Sequence, residues 1–397
     1  MTKIPYAVRS VTPRAKELIR EALEAENPLG GELVAEFEKR FAELAGTREA
    51  VAVSSGTDAL ALALAVLYDY GARRGDEVIV PALSFVATGN AVLQAGFTPV
   101  FVDIERETLN IDPSKMELAV TDRTRALAPV HVMGKPADMD PIMALADKYD
   151  LLVVEDAAQA HGSRYKERSA GALGHMAAFS TSAAHLINTV EGGVVATDNE
   201  DYAEILRSLR ANGRAGRLRG AAADASCDKR VKPKEMGERR FAFDRAGFSA
   251  RMNDLEAAVG LGSLEAFEEI LEKRRANLLY LVKEFENFQP YLSTTREEPH
   301  ERISPHGLPV IVTEAAKFTR DELVEHLEKN GVETKNLFQS MPTQCPGFSF
   351  LGHECGEFPN AEFMGLQGLL VGVHQGLGRG DCDFVLDKVA EFLEENE

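Results

Sequence analysis

The sequence predicts an α/β protein with a mostly parallel central sheet, helices on both faces of that sheet, and a smaller C-terminal α+β domain. Short runs rich in β-branched residues alternate with helical patterns through the first half of the chain. This alternation is typical of parallel sheets whose crossover helices cover both faces. Ligands of such sheets bind beyond the carboxyl ends of the strands, so residues there are the first candidates for a site.

Seven runs predict the strands of the central sheet: EAVAVSSG, DEVIVPAL, TPVFVDI, RALAPVHV, LLVVEDAA, MAAFSTS and GGVVATD, in chain order. A charged segment over residues 213–240 has no apolar periodicity and predicts a long surface loop. Loops of this length are uncommon and are usually functional or disordered. Apolar positions that recur from Leu255 through Leu281 predict one long helix after it.

A smaller α+β unit is predicted at the C-terminal end. It has a strand near GLPVIVT, a helix over TRDELVEHLEKN and a final helix over CDFVLDKVAEFLEE. We therefore expect a large domain over residues 1–285, with an N-terminal arm of about residues 1–30, and a small domain over residues 286–397.

The composition narrows the class of protein. The chain has 397 residues, of which 45% are hydrophobic, and a formal net charge of −19. Such a charge repels phosphate, so we expect no nucleic-acid partner and no acidic membrane surface as partner. No apolar run is long enough to span a bilayer and the first residues carry charges throughout, so we expect a cytoplasmic protein. Four cysteines (Cys227, Cys345, Cys355 and Cys382) lack paired CxxC spacing, which indicates reduced thiols and no metal site.

Two strand ends carry residues suited to a ligand. In VSSGTDALALALA a strand runs into a helix start, whose free amides favour an anion; Gly56 permits close approach and Thr57 adds a hydroxyl. A simple helix cap explains the same residues. In LLVVEDAAQAHG, Asp156 follows a buried strand and could pair with a protonated heterocyclic nitrogen, or could instead cap a helix.

Six blocks in chain order carry a resemblance over nearly the whole chain. They are NPLGGELVAEFEKRFAELAG, VAVSSGTDALALAL, DEVIVPALSFVATGNAVLQAGFTPVFVDI, VVEDAAQAHGS, FSTSAAHLINTVEGGVVATD and ARMNDLEAAVGLGSLEAF. Together they resemble the DegT/StrS-type sugar aminotransferases, which are fold-type-I enzymes dependent on pyridoxal phosphate (PLP). The resemblance implies homodimers with each active site at the subunit interface.

The resemblance also implies cofactor contacts for six residues: Gly56, Thr57 and Ser180 on the phosphate, Phe85 stacked on the pyridine ring, Asp156 on the ring nitrogen and Gln159 near the ring hydroxyl. An acid on the ring nitrogen keeps it protonated, so that the ring acts as an electron sink.

Two positions depart from the family pattern. Ser249 stands where the family usually has an asparagine that reaches the cofactor phosphate of the partner subunit, which weakens that contact. His185 stands six residues before Glu191, where most members have the lysine that binds PLP covalently. No lysine occurs between Lys166 and Lys229, so no near neighbour can replace it. The cofactor would therefore be held non-covalently, most naturally as pyridoxamine phosphate (PMP).

The same exchange of lysine for histidine marks the family branch of 3-dehydratases, which act on nucleotide-linked 4-keto-6-deoxy sugars. A histidine suits acid/base work there, because its ordinary pKa of about 6.5 lets it accept and return a proton near neutral pH. One sub-branch carries an iron–sulfur cluster held by four cysteines. Here Ala157 and Ala158 follow Asp156 and only Cys227 lies in the long loop, so we expect no iron–sulfur cluster.

The resemblance places further residues near the substrate. The segment with Arg210, Asn212, Gly213 and Arg214 could meet a nucleotide diphosphate, although a solvated basic loop explains the pattern as well. His374 matches a C-terminal block near the sugar. His131 matches a histidine of structural use, and Glu191 is expected to shape the turn beside His185.

Three hypotheses for function stay open at this point. The first is a PMP/PLP-dependent sugar-nucleotide 3-dehydratase with His185 as acid/base and glutamate as co-substrate. The second is a sugar-nucleotide aminotransferase of the same family that uses glutamate as amino donor. The third is a catalytically inactive, regulatory cofactor-binding homologue, against which the retention of Phe85, Asp156, Gln159 and Ser180 speaks.

Overall fold

A computed structural model of the chain describes residues 4–8, 11–24, 31–215 and 242–396. Most of the predicted loop over residues 213–240, with Cys227, lies outside the described residues, as does part of the predicted N-terminal arm.

A seven-stranded sheet is built from strands of the first half of the chain. The chain contributes β1 (Glu49–Val53), β2 (Glu77–Pro81), β3 (Thr98–Val102), β4 (Thr124–Leu127), β5 (Leu152–Asp156), β6 (Arg164–Tyr165), β7 (Arg168–Ser169), β8 (Met176–Ser180) and β9 (Gly193–Thr197). The order in the sheet is β1-β9-β8-β5-β4-β2-β3. In this sheet, β8, β5, β4, β2 and β3 pair in parallel with their neighbours, whereas β9 is antiparallel to both β8 and β1. Strands β6 and β7 lie outside this sheet and pair with each other. All seven predicted strands are present, and the predicted mostly parallel sheet is confirmed.

Helices cover both faces of this sheet. They are α1 (Pro13–Glu24), α2 (Glu32–Ala45), α3 (Gly56–Ala65), α4 (Ala87–Ala95), α5 (Pro113–Met116), α6 (Met139–Tyr149), α7 (Glu200–Leu209), α8 (Asp254–Glu265) and α9 (Phe267–Phe285). Residues of β1 show how the two faces arise: Val51 and Val53 pack into one apolar core, while Ala50 and Ala52 pack into the other. This follows from the alternation of side chains along a strand.

The long helix predicted from Leu255 through Leu281 is two helices. Helix α8 ends at Glu265, and Ala266 has φ −93° and ψ −1° before α9 begins. The two helices are buried differently. Residues Ala257–Ser263 of α8 are buried all round, and a Cβ on Gly262 would lie 2.7 Å from the Ala15 Cβ of α1. Helix α9 buries only one stripe of side chains. The break between α8 and α9 therefore allows each helix to pack in its own way.

The C-terminal part forms a second, antiparallel sheet. Its strands are β10 (Leu292–Thr294), β12 (Leu308–Val312), β13 (Thr334–Asn336) and β14 (Gly368–Val371), in the order β10-β12-β14-β13; β11 (Glu301–Arg302) pairs instead with β6. The helices are α10 (Arg320–Lys329), α11 (Met341–Gln344), α12 (Pro359–Gln367) and α13 (Arg379–Asn396). Leu281 and Phe285 of α9 share the apolar core of this sheet. The division of the chain between residues 285 and 286 stays a prediction.

The N-terminal segment also belongs to this region. Ile4 forms a parallel bridge with Val332, and its backbone exchanges hydrogen bonds with Gly331 and Glu333. The segment 4–8 thus lies beside β13. Within the described residues, no helix is long and apolar enough to cross a membrane.

Candidate active site

A cavity of about 870 Å³ opens between the ends of the central strands and the C-terminal sheet. Seven of the residues predicted from sequence line it: Gly56, Thr57, Phe85, Asp156, Gln159, Ser180 and His185. They come from segments up to 129 residues apart, counted from Gly56 to His185, and the strand ends bring them together. The position of the cavity agrees with the rule for open α/β sheets.

The start of helix α3 forms one wall of the cavity. Ser55 caps the helix, and its Oγ accepts a hydrogen bond from the Asp58 amide at 3.0 Å. A Cβ on Gly56 would lie 2.5 Å from the Ser180 Cβ, so only glycine permits this approach of α3 to the end of β8. The free amides of the first turn and two hydroxyls, of Thr57 and Ser180, therefore lie at one end of the cavity, where an anion is favoured.

Asp156 lies at the carboxyl end of β5, in the middle of the cavity lining. Its Oδ2 accepts a hydrogen bond from the Thr88 Oγ1 at 2.6 Å, and its Oδ1 accepts one from the Ala158 amide at 3.2 Å. Burial raises the pKa of the Asp156 carboxyl, while the hydrogen bonds from Thr88 and Ala158 oppose this rise. Each carboxylate oxygen keeps a free lone pair, so the group can accept a further N–H or N⁺–H donor.

Gln159 and Phe85 lie on the same cavity. The Gln159 Oε1 accepts a hydrogen bond from the Met133 amide at 2.9 Å, which fixes the direction of the amide. Phe85 is 58% exposed although it is a large aromatic residue, and its ring centre lies 6.0 Å from that of Phe338. An exposed aromatic face inside a cavity is suited to stack on a planar ring.

His185 lies in the turn between β8 and β9. Its amide donates to the Ser182 carbonyl at 3.0 Å, and its Nδ1 is buried without a hydrogen-bond partner among the described residues. Burial, together with the smaller effect of the Arg274 charge, lowers the pKa of His185 to about 4. The imidazole is therefore neutral at pH 7 and is able to accept a proton.

The turn after His185 is held by its own side chains. The Thr189 Oγ1 donates to the Glu191 carbonyl at 2.7 Å, and the Val190 amide donates to the Asn188 Oδ1 at 2.7 Å. Val190 has a φ of 72°, which is rare for a β-branched residue. Glu191, expected from the sequence to shape this turn, also lines the cavity.

Four residues expected near the cofactor or the substrate lie outside the cavity lining. They are Arg210, Arg214, Ser249 and His374. Arg210 is buried, where its Nη1 binds the Glu38 carboxylate and donates to the Ala52 carbonyl at 2.6 Å. The His374 Nε2 donates to the Pro5 carbonyl at 3.0 Å, so its ring holds the N-terminal segment. Ser249 is exposed, and its backbone pairs with Ala211.

His131 and Glu155 form a buried structural pair. The His131 Nε2 donates to the Glu155 Oε2 at 2.9 Å, and the His131 Nδ1 accepts from the Ala137 amide at 3.0 Å. The Glu155 carboxylate also accepts hydrogen bonds from the amides of Gly171, Leu173 and Gly174. Every polar atom of this pair is thus used inside the fold, away from the cavity lining.

Sequence reasoning missed several polar residues of the cavity, among them Tyr6, His306 and Lys335. Tyr6 comes from the N-terminal segment, and the other two come from the C-terminal region. The ring centre of His306 lies 4.9 Å from that of His185. No local motif marks these residues, because contacts between distant parts of the chain bring them to the cavity. Tyr6 follows Ile4, which bridges Val332, and Lys335 lies on β13. The His306 amide donates to the Met133 carbonyl at 3.3 Å.

The described residues also show no group of three or more histidine, cysteine or carboxylate side chains arranged to hold a metal ion. The cavity residues do fit a phosphorylated pyridine. The tight approach of Gly56 to Ser180 forms a cradle at the helix start, the exposed Phe85 offers a stacking face, and Asp156 offers an acceptor for a ring N–H.

The fold and this site define a fold-type-I transferase of the PLP-dependent class. A family model described as the DegT/DnrJ/EryC1/StrS aminotransferase family matches residues 10–390, and the chain belongs to this family.

Named relatives fall into two groups of activity. The chain is 35% identical to a GDP-perosamine synthase of Caulobacter vibrioides, over 91% of this chain and 91% of that protein. It is 34% identical to a GDP-4-keto-6-deoxy-D-mannose 3-dehydratase of Yersinia pseudotuberculosis, over 94% and 95% of the two chains. A solved structure of the E. coli GDP-4-keto-6-deoxy-D-mannose-3-dehydratase with bound hydrated PLP superimposes with a TM-score of 0.87 and 29% identity, over 98% and 99% of the chains.

Proposed function

We propose that the protein is a PMP/PLP-dependent enzyme that catalyses the 3-dehydration of a nucleotide-linked 4-keto-6-deoxy sugar, with His185 as acid/base. The observation that carries this proposal is the position of His185. A neutral imidazole lines the cavity in the segment where most family members supply a covalent lysine, and Asp156 lies in the same cavity lining. The similarity to sugar-nucleotide 3-dehydratases supports the same reaction class.

Each residue has a distinct role in this proposal. Gly56, Thr57 and Ser180 hold the phosphate through the helix start and two hydroxyls. Asp156 accepts a hydrogen bond from the protonated ring nitrogen, and Phe85 stacks on the ring. Gln159, whose amide is fixed by Met133, contacts the ring edge. The bound cofactor supplies an electron sink, which lowers the barrier to loss of the C3 hydroxyl.

His185 would accept a proton from the aminomethyl carbon of the bound cofactor and pass it to the C3 hydroxyl, which would then leave as water. A pKa of about 4, lower than the 6.5 assumed from the sequence, keeps the ring unprotonated at neutral pH, so that it can accept a proton. The same low pKa makes the protonated imidazole a strong acid, which favours the return of the proton. One residue can thus serve both half-steps.

A second candidate function rests on another cavity residue. Lys335 lines the cavity from β13, and its Nζ lies 3.6 Å from the Glu333 Oε1. A family aminotransferase needs an amine near the cofactor, and Lys335 is the one lysine in the cavity lining of the described residues. Transamination with glutamate is therefore the alternative, with Lys335 taking the place of the missing lysine.

The remaining expectations belong to the same proposal. Glutamate restores the amino form of the cofactor, and two copies of the chain assemble with the active sites at their interface, in the cytoplasm. The exposed Ser249 and the basic Arg214 would then meet the partner's cofactor or the nucleotide only through that assembly. The burial of Arg210 against Glu38 speaks for a structural role of that residue.

The test of the proposal is the variant His185→Ala. It should still bind PMP, measured by the absorption band of the cofactor, because the phosphate cradle and Asp156 are unchanged. Its turnover should fall by about 10²-fold or more, the range expected for loss of a general base. A variant with unchanged turnover would overturn the role of His185. If the wild-type protein, purified in the same way, shows no absorption band of PLP or PMP, the hypothesis of a catalytically inactive homologue is favoured instead.

A further inference from the structure

The tautomer of His185 decides whether its cavity-facing nitrogen can act as a base. A neutral imidazole carries its proton on one nitrogen and a lone pair on the other. The Nδ1 of His185 is buried, while the side chain as a whole is partly exposed and lines the cavity. The lone pair therefore faces the cavity on Nε2 only when Nδ1 holds the proton, and a buried N–H needs an acceptor.

In two other buried histidines, His131 and His374, hydrogen-bond partners fix which nitrogen carries the proton. The His131 Nδ1 accepts from the Ala137 amide, and the His374 Nδ1 accepts from the Gly376 amide at 3.1 Å, so both rings carry their proton on Nε2. Their Nε2 atoms donate to an oxygen, of Glu155 and of Pro5. Among the residues that the structure describes, the His185 Nδ1 has neither a carbonyl nor a carboxylate partner.

The neighbouring ring of His306 meets the requirements for such a partner. It lines the same cavity, and its Nδ1 is also buried without a hydrogen-bond partner in the described part of the chain. The ring centres of His185 and His306 lie 4.9 Å apart with 42° between their planes. Two imidazoles joined by one N–H···N bond have centres about 5 Å apart, from a donor–acceptor distance of about 2.9 Å plus about 1 Å within each ring.

We propose that His306 is a positioning residue for His185: the two rings share one hydrogen bond between their Nδ1 atoms, with the proton on His185, so that the Nε2 lone pair faces the cavity. In the structure neither Nδ1 has a hydrogen-bond partner, and a rotation of the rings about χ2, a torsion with broad minima in histidine, aligns the two nitrogens. The inference rests on the proposed function only in giving His185 the acid/base role.

The surroundings of the pair keep both rings neutral, which this arrangement needs. A protonated ring would have two N–H donors and no acceptor. The charged and titratable groups that act on the rings are Arg274 and His161, and Tyr6 acts in turn on Arg274. Burial lowers the pKa of His306 well below its ordinary value, and the neighbouring His185 and Arg274 act in the same direction. Arg274 itself binds neutral oxygens, the Gln375 Oε1 at 3.0 Å and the Pro305 carbonyl at 3.4 Å, so its charge acts on the rings.

His161 is the natural control for this pair. Its ring centre lies 5.9 Å from that of His185, and both of its nitrogens lack a partner among the described residues. However, it does not line the cavity, and it packs against the rings of Phe41 and Phe179. An aromatic replacement suits that packing, so His161→Phe removes a buried imidazole near His185 without removing the proposed acceptor.

The experiment reads the tautomer of His185 directly. The full chain is labelled with ¹⁵N-histidine, and the Nδ1 and Nε2 shifts are recorded with and without PMP, with His185 assigned through His185→Gln. Wild type should show the proton on Nδ1. His306→Phe removes the acceptor and should shift the proton toward Nε2, whereas His306→Asn places an oxygen where the Nδ1 was and should keep it on Nδ1. His161→Phe should leave the tautomer unchanged.

Turnover provides the second measurement. In His306→Phe, kcat should fall by about 10- to 100-fold with KM changed less than about threefold, and His306→Asn should restore most of the loss. A proton on Nε2 in wild type, or the same tautomer and kcat in His306→Phe, would overturn the inference. If His306→Phe fails to fold, the spectra of wild type and His306→Asn still test the inference, because both should show the proton on the His185 Nδ1. Because the spectra need no substrate, failure of the proposed dehydration would leave this result standing, and the reverse also holds.

Discussion

Acidification should destabilise the folded protein through His185. The pKa of this imidazole is lowered to about 4 in the fold by burial and by Arg274, against an ordinary value of 6.5. As the pH falls below 6.5 the unfolded chain binds the proton first, so folding stability is lost until the pH reaches the folded pKa near 4. At about 1.4 kcal/mol per pH unit, the difference between the two pKa values corresponds to about 3 kcal/mol of folding stability, which is fully retained above pH 6.5.

The assay compares wild type with His185→Gln by urea unfolding at pH 7.5 and at pH 4.5. His161 and His306 are present in both proteins, so most of their contribution cancels in the comparison. Wild type should lose about 2–3 kcal/mol more than the variant between the two pH values. An equal loss in both proteins would refute a neutral, desolvated His185 and with it the idea that the ring is held ready as a base.

Three further predictions concern the cavity and its surroundings. Gly56→Ala should abolish tight cofactor binding and lower the free energy of unfolding by about 1–3 kcal/mol, because the new Cβ would lie 2.5 Å from the Ser180 Cβ. The control is Gly380→Ala, where the new Cβ would meet no atom within 4 Å, and it should change neither cofactor binding nor stability. Arg210→Met should lower the free energy of unfolding by about 3–5 kcal/mol, because it leaves the Glu38 carboxylate buried and unpaired. A large rise in KM without a loss of stability would contradict this structural role. Borohydride reduction of the PLP-loaded protein followed by peptide mapping should find no cofactor on any lysine, and a modified lysine would favour transamination.

The central sheet could be predicted from sequence because its strands are short, apolar and bounded by turn residues. The same periodicity placed Asp156 at a strand end, where the structure has it. The prediction of a single long helix was wrong. The break at Ala266 depends on what α8 and α9 pack against, and it leaves no gap in the apolar pattern of the sequence.

The cavity was only partly predictable. Residues that belong to a family block, such as Gly56 and His185, could be found from the sequence, because their role follows from a local turn or helix start. Tyr6 and His306 could not, since they reach the cavity through contacts between distant parts of the chain. The ion pair of Arg210 with Glu38 joins residues 172 positions apart, so a basic segment in the sequence gives no sign that its arginine is buried.

The most direct test of the proposed reaction is to weigh its products. The protein is mixed with PLP, glutamate and a panel of GDP-, CDP-, dTDP- and UDP-linked 4-keto-6-deoxy sugars, and each nucleotide sugar is followed by mass spectrometry. We expect one of them to lose its C3 hydroxyl in wild type and to stay intact with His185→Ala. A product in which an amino group replaces the 4-keto oxygen, with the C3 hydroxyl retained, would contradict the dehydratase proposal.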